Sequence, residues 1–264
     1  MKSNYCLALA GYCLLLGGCA VYMPIQCAAP QITDKKQAEV TGSSYLNGRY
    51  EMAAAYSPVR HLLLRAAYSS LPRGSNDSSY YRGHQYELGV GTYWPLGTRW
   101  LVGGVGGFGQ AHSAARYFND GQVLYLGQNS TRHVFDAHYN KLFGEAYGIF
   151  QASETVSFGA AYRITQVHFT SLTDVSLPLA LSDMTRSEPM MFFRTRLGNG
   201  PTDTRPVQLQ LTWGTSSTFG YNSATARYSS ADYQLQKPRG YLTLGISVFP
   251  HCLLRKLQEL KATD

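Results

Sequence analysis

The stretch from Val207 to Trp213 alternates between apolar and polar residues without interruption. In a β-strand successive side chains point to opposite faces, so this pattern places all the apolar residues on one face and all the polar residues on the other. The apolar set is Val207, Leu209, Leu211 and Trp213, and the polar set is Gln208, Gln210 and Thr212. One face of this strand therefore requires lipid or a protein core, and the other requires water.

The same alternation recurs along most of the chain and predicts an all-β protein of about ten strands. The 20 Tyr, 11 Phe, 3 Trp and 26 Gly residues favour strands and tight turns in the same way. The predicted strands are Ala38–Tyr45, Tyr50–Tyr56 after a hairpin at Asn47-Gly48, His61–Ser70, Arg82–Trp94, Trp100–Gln110, His133–Phe150, Val156–Thr165, Glu188–Leu197, Arg205–Gly214 and Gly240–Phe249.

Tight turns and long polar loops alternate between these strands, which predicts a membrane barrel and its orientation. No apolar run of about twenty residues follows the N-terminus, so transmembrane helices are excluded, whereas a barrel strand needs only about ten alternating residues. Membrane barrels keep short turns in the periplasm and long loops outside. We predict that residues 37–249 form a closed antiparallel up-and-down transmembrane β-barrel with both ends in the periplasm. The long loops are Leu71–Tyr81, Ser113–Thr131, Ser171–Ser187 and Ser217–Gln236.

The N-terminus has the features of a secretory signal. Lys2 precedes a short apolar core, and Leu16-Gly17-Gly18-Cys19 is similar to a bacterial lipobox, whose Cys becomes the acylated first residue. We therefore predict a signal peptide at 1–18, lipidation of Cys19 and a periplasmic tether at 19–36. The alternative is an ordinary signal peptide cleaved near Ala28 or Ala29.

Two cysteines remain in the mature chain if Cys19 is acylated, because Cys6 and Cys13 leave with the signal. Cys27 precedes the first strand and Cys252 follows the last, so both are predicted at the periplasmic rim, where a disulfide is geometrically possible. The alternative is two unbridged thiols. Residues 250–264 have leucines at helical spacing and are predicted to form a short C-terminal helix or a frayed tail.

The net charge of +7 comes from scattered basic residues rather than from basic tracts, and no nucleic-acid-binding motif is present. Nucleic acid is therefore not an expected partner. Membrane lipids and lipopolysaccharide are the expected anionic partners, and other outer-membrane proteins are a further option. The external loops are rich in tyrosine, which suits either glycan or protein binding or an aromatic belt.

Charged and polar residues recur on the strand faces opposite the apolar stripes and are predicted to line the lumen. In a barrel of about ten strands the lumen is only slightly wider than side chains can fill, and buried charges must be paired or hydrated. These residues are expected to brace the lumen through cross-strand hydrogen bonds or, alternatively, to line a narrow pore. The set is Glu87, Lys141, Glu145, Arg163, Arg194, Arg196, Gln208 and Gln210.

No catalytic, cofactor or metal site is predicted. The glycines of 104–109 match the G-x-G-x-x-G dinucleotide pattern, but the match falls inside a strand of an all-β chain rather than in a βαβ unit. The pairs His112/Ser113 and His168/Ser171 do not place both side chains on one strand face, which argues against a nucleophile and base. His133 and His138 likewise fall on opposite faces, so no metal ligand spacing results.

Several short motifs, taken together, resemble small outer-membrane β-barrel lipoproteins of the Bacteroidetes type. These motifs are Gly18-Cys19-Ala20 with Tyr22 and Pro24, Ala53-Ala54-Ala55-Tyr56-Ser57-Pro58-Val59, Tyr86-Glu87-Leu88-Gly89-Val90-Gly91, Pro95-Leu96-Gly97 and Glu188-Pro189. The resemblance covers nearly the whole mature chain and implies fold and location, but no common activity and no catalytic residues. Exported lipoproteins of that group carry acidic residues after the lipidated Cys, and residues 20–23 have none. The resemblance therefore implies an anchor on the periplasmic side.

The sequence thus predicts a lipid-anchored bacterial outer-membrane barrel with a non-enzymatic structural or interaction role. One alternative is a narrow porin-like channel for small solutes. The other is an outer-membrane enzyme that acts on lipid A or phospholipid.

Overall fold

The computed structural model describes residues 21–72, 79–119, 131–198, 205–222 and 230–253, in which ten long strands form one closed antiparallel barrel. Consecutive long strands pair with each other, and β1 pairs with β11 to close the ring. This confirms the predicted fold class. The elements are β1 Ala38–Tyr45, β2 Tyr50–Tyr56, β3 Leu63–Leu71, β4 Tyr80–Leu96, β5 Trp100–Asn119, β6 Thr131–Gln151, β7 Val156–Asp174, the two-residue β8 Leu177–Pro178, β9 Asp183–Leu197, β10 Val207–Thr218, α1 Ala231–Gln236 and β11 Arg239–Val248.

Several strands continue beyond their predicted ends on the side of the long loops. β5 extends to Asn119 and β7 to Asp174, so parts of two predicted loops are strand. The backbone hydrogen bonds between β5, β6 and β7 continue there and satisfy the amide and carbonyl groups of these residues. Side-chain alternation gives no information about these bonds, so the extra length was not predicted. The predicted loop after β10 contains α1, which Ser230 caps by accepting a hydrogen bond from the amide of Tyr233.

The barrel is apolar outside and polar inside. Leu142 and Leu244 point outward and are 65% and 62% exposed, whereas Arg163 and Lys141 point inward and are 0% and 1% exposed. We call the end of the barrel that carries the turns 97–99 and 152–155 the short-turn end. Near it, outward aromatic rings lie side by side. These rings are Trp100, Phe150, Phe158 and Phe193, with centroid separations of 4.8, 6.1 and 6.2 Å between successive members.

The segment predicted as a periplasmic tether lies elsewhere. Residues 21–32 are all buried and occupy the inside of the barrel, and the chain emerges at Thr33 before β1 begins. We call residues 21–32 the plug segment. The prediction was wrong for these residues because their amide groups and side chains find partners on the lumen wall, as described below.

After β11 the chain is helical over residues 250–253, and the rest of the predicted C-terminal helix, residues 254–264, lies outside the described residues. Residues 1–20, which include the predicted signal peptide and Cys19, also lie outside them. None of the helices in the described ranges is long and apolar enough to span a membrane.

Candidate functional site in the closed lumen

Glu87 lies at the centre of a buried cluster of charges. Its carboxylate accepts hydrogen bonds from Lys141 Nζ at 2.6 Å, from Arg65 Nη1 at 3.0 Å and from Arg163 Nη1 at 3.1 Å. These side chains come from β4, β6, β3 and β7, and all are at most 5% exposed. Arg65 was not in the predicted lumen set, although it alternates with outward residues of β3.

The other predicted lumen residues are also buried inside the barrel. Arg163 Nε donates to Glu145 Oε2 at 2.7 Å, and Arg194 Nε donates to Gln210 Oε1 at 2.8 Å. All eight residues predicted to line the lumen are at most 9% exposed. The structure thus brings together side chains that are up to 123 positions apart, from Glu87 to Gln210.

This cluster binds the backbone of the plug segment. Arg65 Nη2 and Arg163 Nη2 both donate to the carbonyl of Gln26, at 2.8 and 3.1 Å, and Arg194 Nη1 donates to the carbonyl of Ala29 at 2.6 Å. Carboxylates of the wall accept from plug amides in return. These bonds run from Gln26 N to Glu51 at 3.2 Å, from Ala28 N to Glu145 at 2.7 Å and from Gln31 N to Glu39 at 2.7 Å.

Side chains of the plug segment complete the network. Gln31 donates to Ser157 at 2.9 Å and accepts from Gln208 at 2.9 Å, and Gln210 donates to Gln26 Oε1 at 3.2 Å. Inside a closed barrel each buried polar group that lacks a hydrogen-bonding partner costs free energy. The predicted bracing network therefore consists of the wall and the plug together.

The plug segment runs along the barrel from one end to the other. Gln31 contacts Ser157, which follows the short turn 152–155. At the other extreme Ser113 Oγ donates to the carbonyl of Val21 at 2.5 Å, far along β5 towards the long loops. We call this opposite side the long-loop end.

The long-loop end of the lumen is covered around Tyr22. The Tyr22 hydroxyl donates to Glu188 at 2.8 Å, and the Arg186 guanidinium lies 5.3 Å from the Tyr22 ring centroid. Arg186 also donates to the carbonyl of Gln236 in α1 at 3.2 Å, and Leu235 packs in one apolar cluster with Tyr22. Helix α1 therefore covers the plug segment at this end.

A small cavity remains beside the plug segment. It has a volume of about 50 Å³ and is lined by the plug residues 26–30 and by β1, β2, β3, β9 and β10, including Glu39, Glu51 and Arg194. Such a volume holds one or a few water molecules. It is too small for a solute larger than that.

The predicted disulfide between Cys27 and Cys252 is not formed. The Cys27 thiol lies inside the barrel, 3.8 Å from the carbonyl oxygen of Glu188, to which it donates. Cys252 lies in the short helical stretch 250–253 after β11, at the short-turn end. The prediction was wrong because it placed Cys27 at the rim, whereas the plug segment carries it into the lumen.

The outer surface carries a second polar cluster, on β5 and β6. One ring nitrogen each of His112 and His138 and one carboxylate oxygen of Asp136 lie within 4.8 Å of one another, so these residues could hold a metal ion. Sequence spacing predicted no metal site, because the cluster depends on the pairing of His112 with His138 across two strands. His133 is buried and bonds to Asp174, on the opposite face from His138.

The two histidine and serine pairs considered as nucleophile and base do not assemble. Ser113 points into the lumen and His112 points outward. His168 bonds to Asp183 at 2.8 Å, while Ser171 lies across from His138 in the β6–β7 ladder.

The glycines of the dinucleotide-like pattern lie within β5, where they make room for neighbouring side chains. A Cβ atom at Gly107 would collide with the carbonyl of Leu88 and approach the Phe143 ring. At Gly109 it would collide with the carbonyl of Tyr86 and with the side chain of Glu87. These contacts give the glycines a packing role in the barrel wall.

The fold and the lumen define a class, the ten-stranded closed antiparallel β-barrel with an internal plug. No protein-family model matches the chain, and no curated protein matches it. Among solved structures, the translocator domain of the autotransporter NalP from Neisseria meningitidis is 8% identical, covers 80% of this chain and 86% of its own, and has a TM-score of 0.41.

Two further solved structures are also bacterial. The toluene transporter TbuX of Ralstonia pickettii is 12% identical, with 88% of this chain and 79% of its own covered and a TM-score of 0.39. The N-terminal β-barrel domain of Pseudomonas aeruginosa OprF is 9% identical, with 82% and 98% covered and a TM-score of 0.32. We base the functional argument on the geometry of the barrel itself.

Proposed function

We propose that this protein is a bacterial outer-membrane lipoprotein barrel whose lumen is closed by its own N-terminal segment, with a non-enzymatic structural or interaction role. The observation that carries the proposal is the burial of residues 21–32 inside the barrel with hydrogen bonds to charged wall residues. A barrel filled in this way is a rigid body with an outer surface and loops, not an open pore.

The polarity of the barrel supports the membrane location. A soluble barrel buries its apolar face, whereas this one exposes large apolar residues around its outside and buries Glu87, Lys141 and Arg163. The outward aromatic rings at the short-turn end match the interfacial girdle of membrane barrels.

The plug segment also supports cleavage before Cys19. A signal peptidase cut near Ala28 or Ala29 would remove residues 21–27, and with them the carbonyl of Gln26, which accepts from both Arg65 and Arg163. Those buried cations and the carboxylate of Glu51 would lose hydrogen-bonding partners, at a cost of about 1–3 kcal/mol each. Lipobox processing keeps the whole plug segment in the mature chain.

We expect the intact mass of the protein purified from outer membranes to equal residues 19–264 plus the acyl groups of a lipoprotein. The Cys27→Ala variant, which leaves the lipobox intact, should carry the same acyl mass and serves as the control. A mature chain that begins at residue 28 or 29, without acyl mass, would contradict both the lipid anchor and the function of the plug segment.

The two alternatives have weaker support in the structure. A porin-like channel needs a continuous lumen, and the cavity beside the plug segment measures only about 50 Å³. A lipid-modifying enzyme needs a nucleophile beside a base, and His112 and Ser113 lie on opposite faces of β5. The interaction role fits the loop surface, for which membrane lipids, lipopolysaccharide and other outer-membrane proteins are the proposed partners.

A further inference from the structure

We infer that the plug segment carries the N-terminus of the mature chain out through the long-loop end, so that the lipid on Cys19 is anchored at the cell surface. This inference rests on the proposed function, because it takes the barrel to lie in the outer membrane with its short turns in the periplasm. The sequence and the family resemblance had instead implied a periplasmic anchor.

Contacts at three positions along the barrel axis establish the direction in which the plug segment runs. Gln31 lies beside Ser157 at the short-turn end, Gln26 meets Arg65 and Arg163 in the middle, and Val21 meets Ser113 near the long loops. Intermediate residues keep the same order, since the carbonyl of Met23 accepts from Gln85 at 2.8 Å and the amide of Ala28 donates to Glu145. The chain therefore crosses the barrel once, without turning back.

The position of Val21 along the membrane normal can be compared with the thickness of a membrane. Trp100 lies in the aromatic girdle of the short-turn end, and Ser113 lies further along the same strand. At about 3.3 Å per residue this separation is about 43 Å along the strand, or about 33 Å along the membrane normal for a tilt of about 40°. The hydrocarbon core is about 30 Å thick, so the carbonyl of Val21 lies at the level of the outer headgroups.

The position of Val21 limits where the anchor can lie. Cys19 precedes Val21 by two residues, which span at most about 7 Å, so an acyl group on Cys19 is too far from the periplasmic leaflet, about 30 Å away, to enter it. The route back through the lumen is filled by residues 22–32 of the same chain. An acyl group attached here enters the outer leaflet around the barrel, or a neighbouring hydrophobic surface on the outside of the cell.

Site-directed thiol labelling tests this topology. We expect Ala20→Cys to react with a membrane-impermeant maleimide on intact cells, and Leu177→Cys, in the exposed two-residue β8, to do the same. Thr98→Cys, in the exposed short turn after β4, should react only after the outer membrane is permeabilised. The native Cys27 and Cys252 are buried and give a low background.

Labelling of Ala20→Cys only after permeabilisation, as for Thr98→Cys, would overturn the surface exit. If its thiol reacts in neither state, an epitope inserted after Ala20 and detected by antibody gives the same two outcomes. The intact mass of each preparation separately reports acylation. A surface-labelled but unacylated chain would therefore refute the lipid anchor and leave the surface exit standing.

A second observation, independent of the plug, points to a Zn²⁺ site on the outer surface. His112 Nε2 lies 3.3 Å from Asp136 Oδ2, and His138 Nε2 lies 3.8 Å from Asp136 Oδ1. Two ligands of a tetrahedral zinc ion at about 2.1 Å are about 3.4 Å apart, so small side-chain rotations would bring the three groups onto one ion. The structure assigns His112, Asp136 and His138 as its ligands, with water in the remaining position.

The surroundings of this cluster suit a transition metal. Imidazole nitrogens favour Zn²⁺ over Mg²⁺ or Ca²⁺, which prefer oxygen ligands. The two imidazole rings are already stacked, with centroids 4.0 Å apart, and His84 lies beside His112 at 5.6 Å. The cluster lies beyond the outward apolar pair Phe108 and Leu142 in the direction of the long-loop end, so it faces the outer headgroup layer rather than lipid chains.

Titration of the purified barrel with ZnCl₂ tests the site. We expect saturable binding of one ion to the wild type, loss of that binding in the His112→Ala/His138→Ala variant, and no binding of Mg²⁺. His168→Ala is the matched control. His168 on β7 bonds to the carboxylate of Asp183 on β9, away from β5 and β6, so its substitution should leave Zn²⁺ binding unchanged. Absence of saturable binding to the wild type, or equal binding by the double variant, would overturn the assignment.

Discussion

Replacement of Glu87 with Gln is expected to lower the free energy of unfolding by about 3–5 kcal/mol, the range for removing one partner from a buried ion pair. The Glu87 carboxylate is shared by Lys141, Arg65 and Arg163, and all of these groups are buried. With a neutral amide in its place, the three cations would stay buried in the lumen, and of their ion pairs among the described residues Arg163–Glu145 would be left. The measurement is equilibrium urea unfolding of the protein refolded into lipid vesicles.

The matched control for this variant is Glu154→Gln. Glu154 is also a glutamate with a cationic neighbour, but its side chain is 77% exposed and lies 3.7 Å from Arg205. Exposed pairs of this kind contribute about 0–1 kcal/mol, so its substitution should shift the unfolding curve little. Equal effects of the two substitutions would show that the charge cluster does not stabilise the closed lumen.

Deletion of residues 21–32 is expected to turn a non-conducting barrel into a conducting one. In planar bilayers the wild type should give no discrete current steps, because the plug segment occupies the lumen and leaves a cavity of about 50 Å³. Without it, the charged groups of the wall, among them Arg163 and Glu145, would be hydrated, and water would form a path for ions.

A synthetic peptide with the sequence of residues 21–32 should block the current of the deletion variant. The same residues in scrambled order serve as the control, because they cannot reproduce the pairing of Gln26 and Gln31 with the wall. Discrete conductance by the wild type would refute the closed lumen and favour the channel. A silent deletion variant that is folded, as judged by its resistance to unfolding in SDS without heating, would show that the wall closes without the plug.

The period-two pattern was sufficient to predict the barrel and the face of each strand. Gln208 and Gln210 alternate with Leu209 and Leu211, and in the structure the glutamines are buried in the lumen while the leucines are exposed outside. Local alternation determines this, because each side chain's face depends only on its neighbours in the same strand. The extra length of β5 was not predicted, since its ladder continues where the outward residues become polar.

The sequence by itself therefore determined the class of fold, the side of the wall on which each residue lies and the charged character of the lumen. Only the tertiary structure decided where residues 21–32 go and which outward side chains meet. The plug segment has no periodicity, and its partners are distant in sequence, with Ala28 bonded to Glu145 and Gln26 to Arg163. His112 and His138 meet because strand register, which is a property of the closed barrel, sets which residues of β5 and β6 are opposite each other.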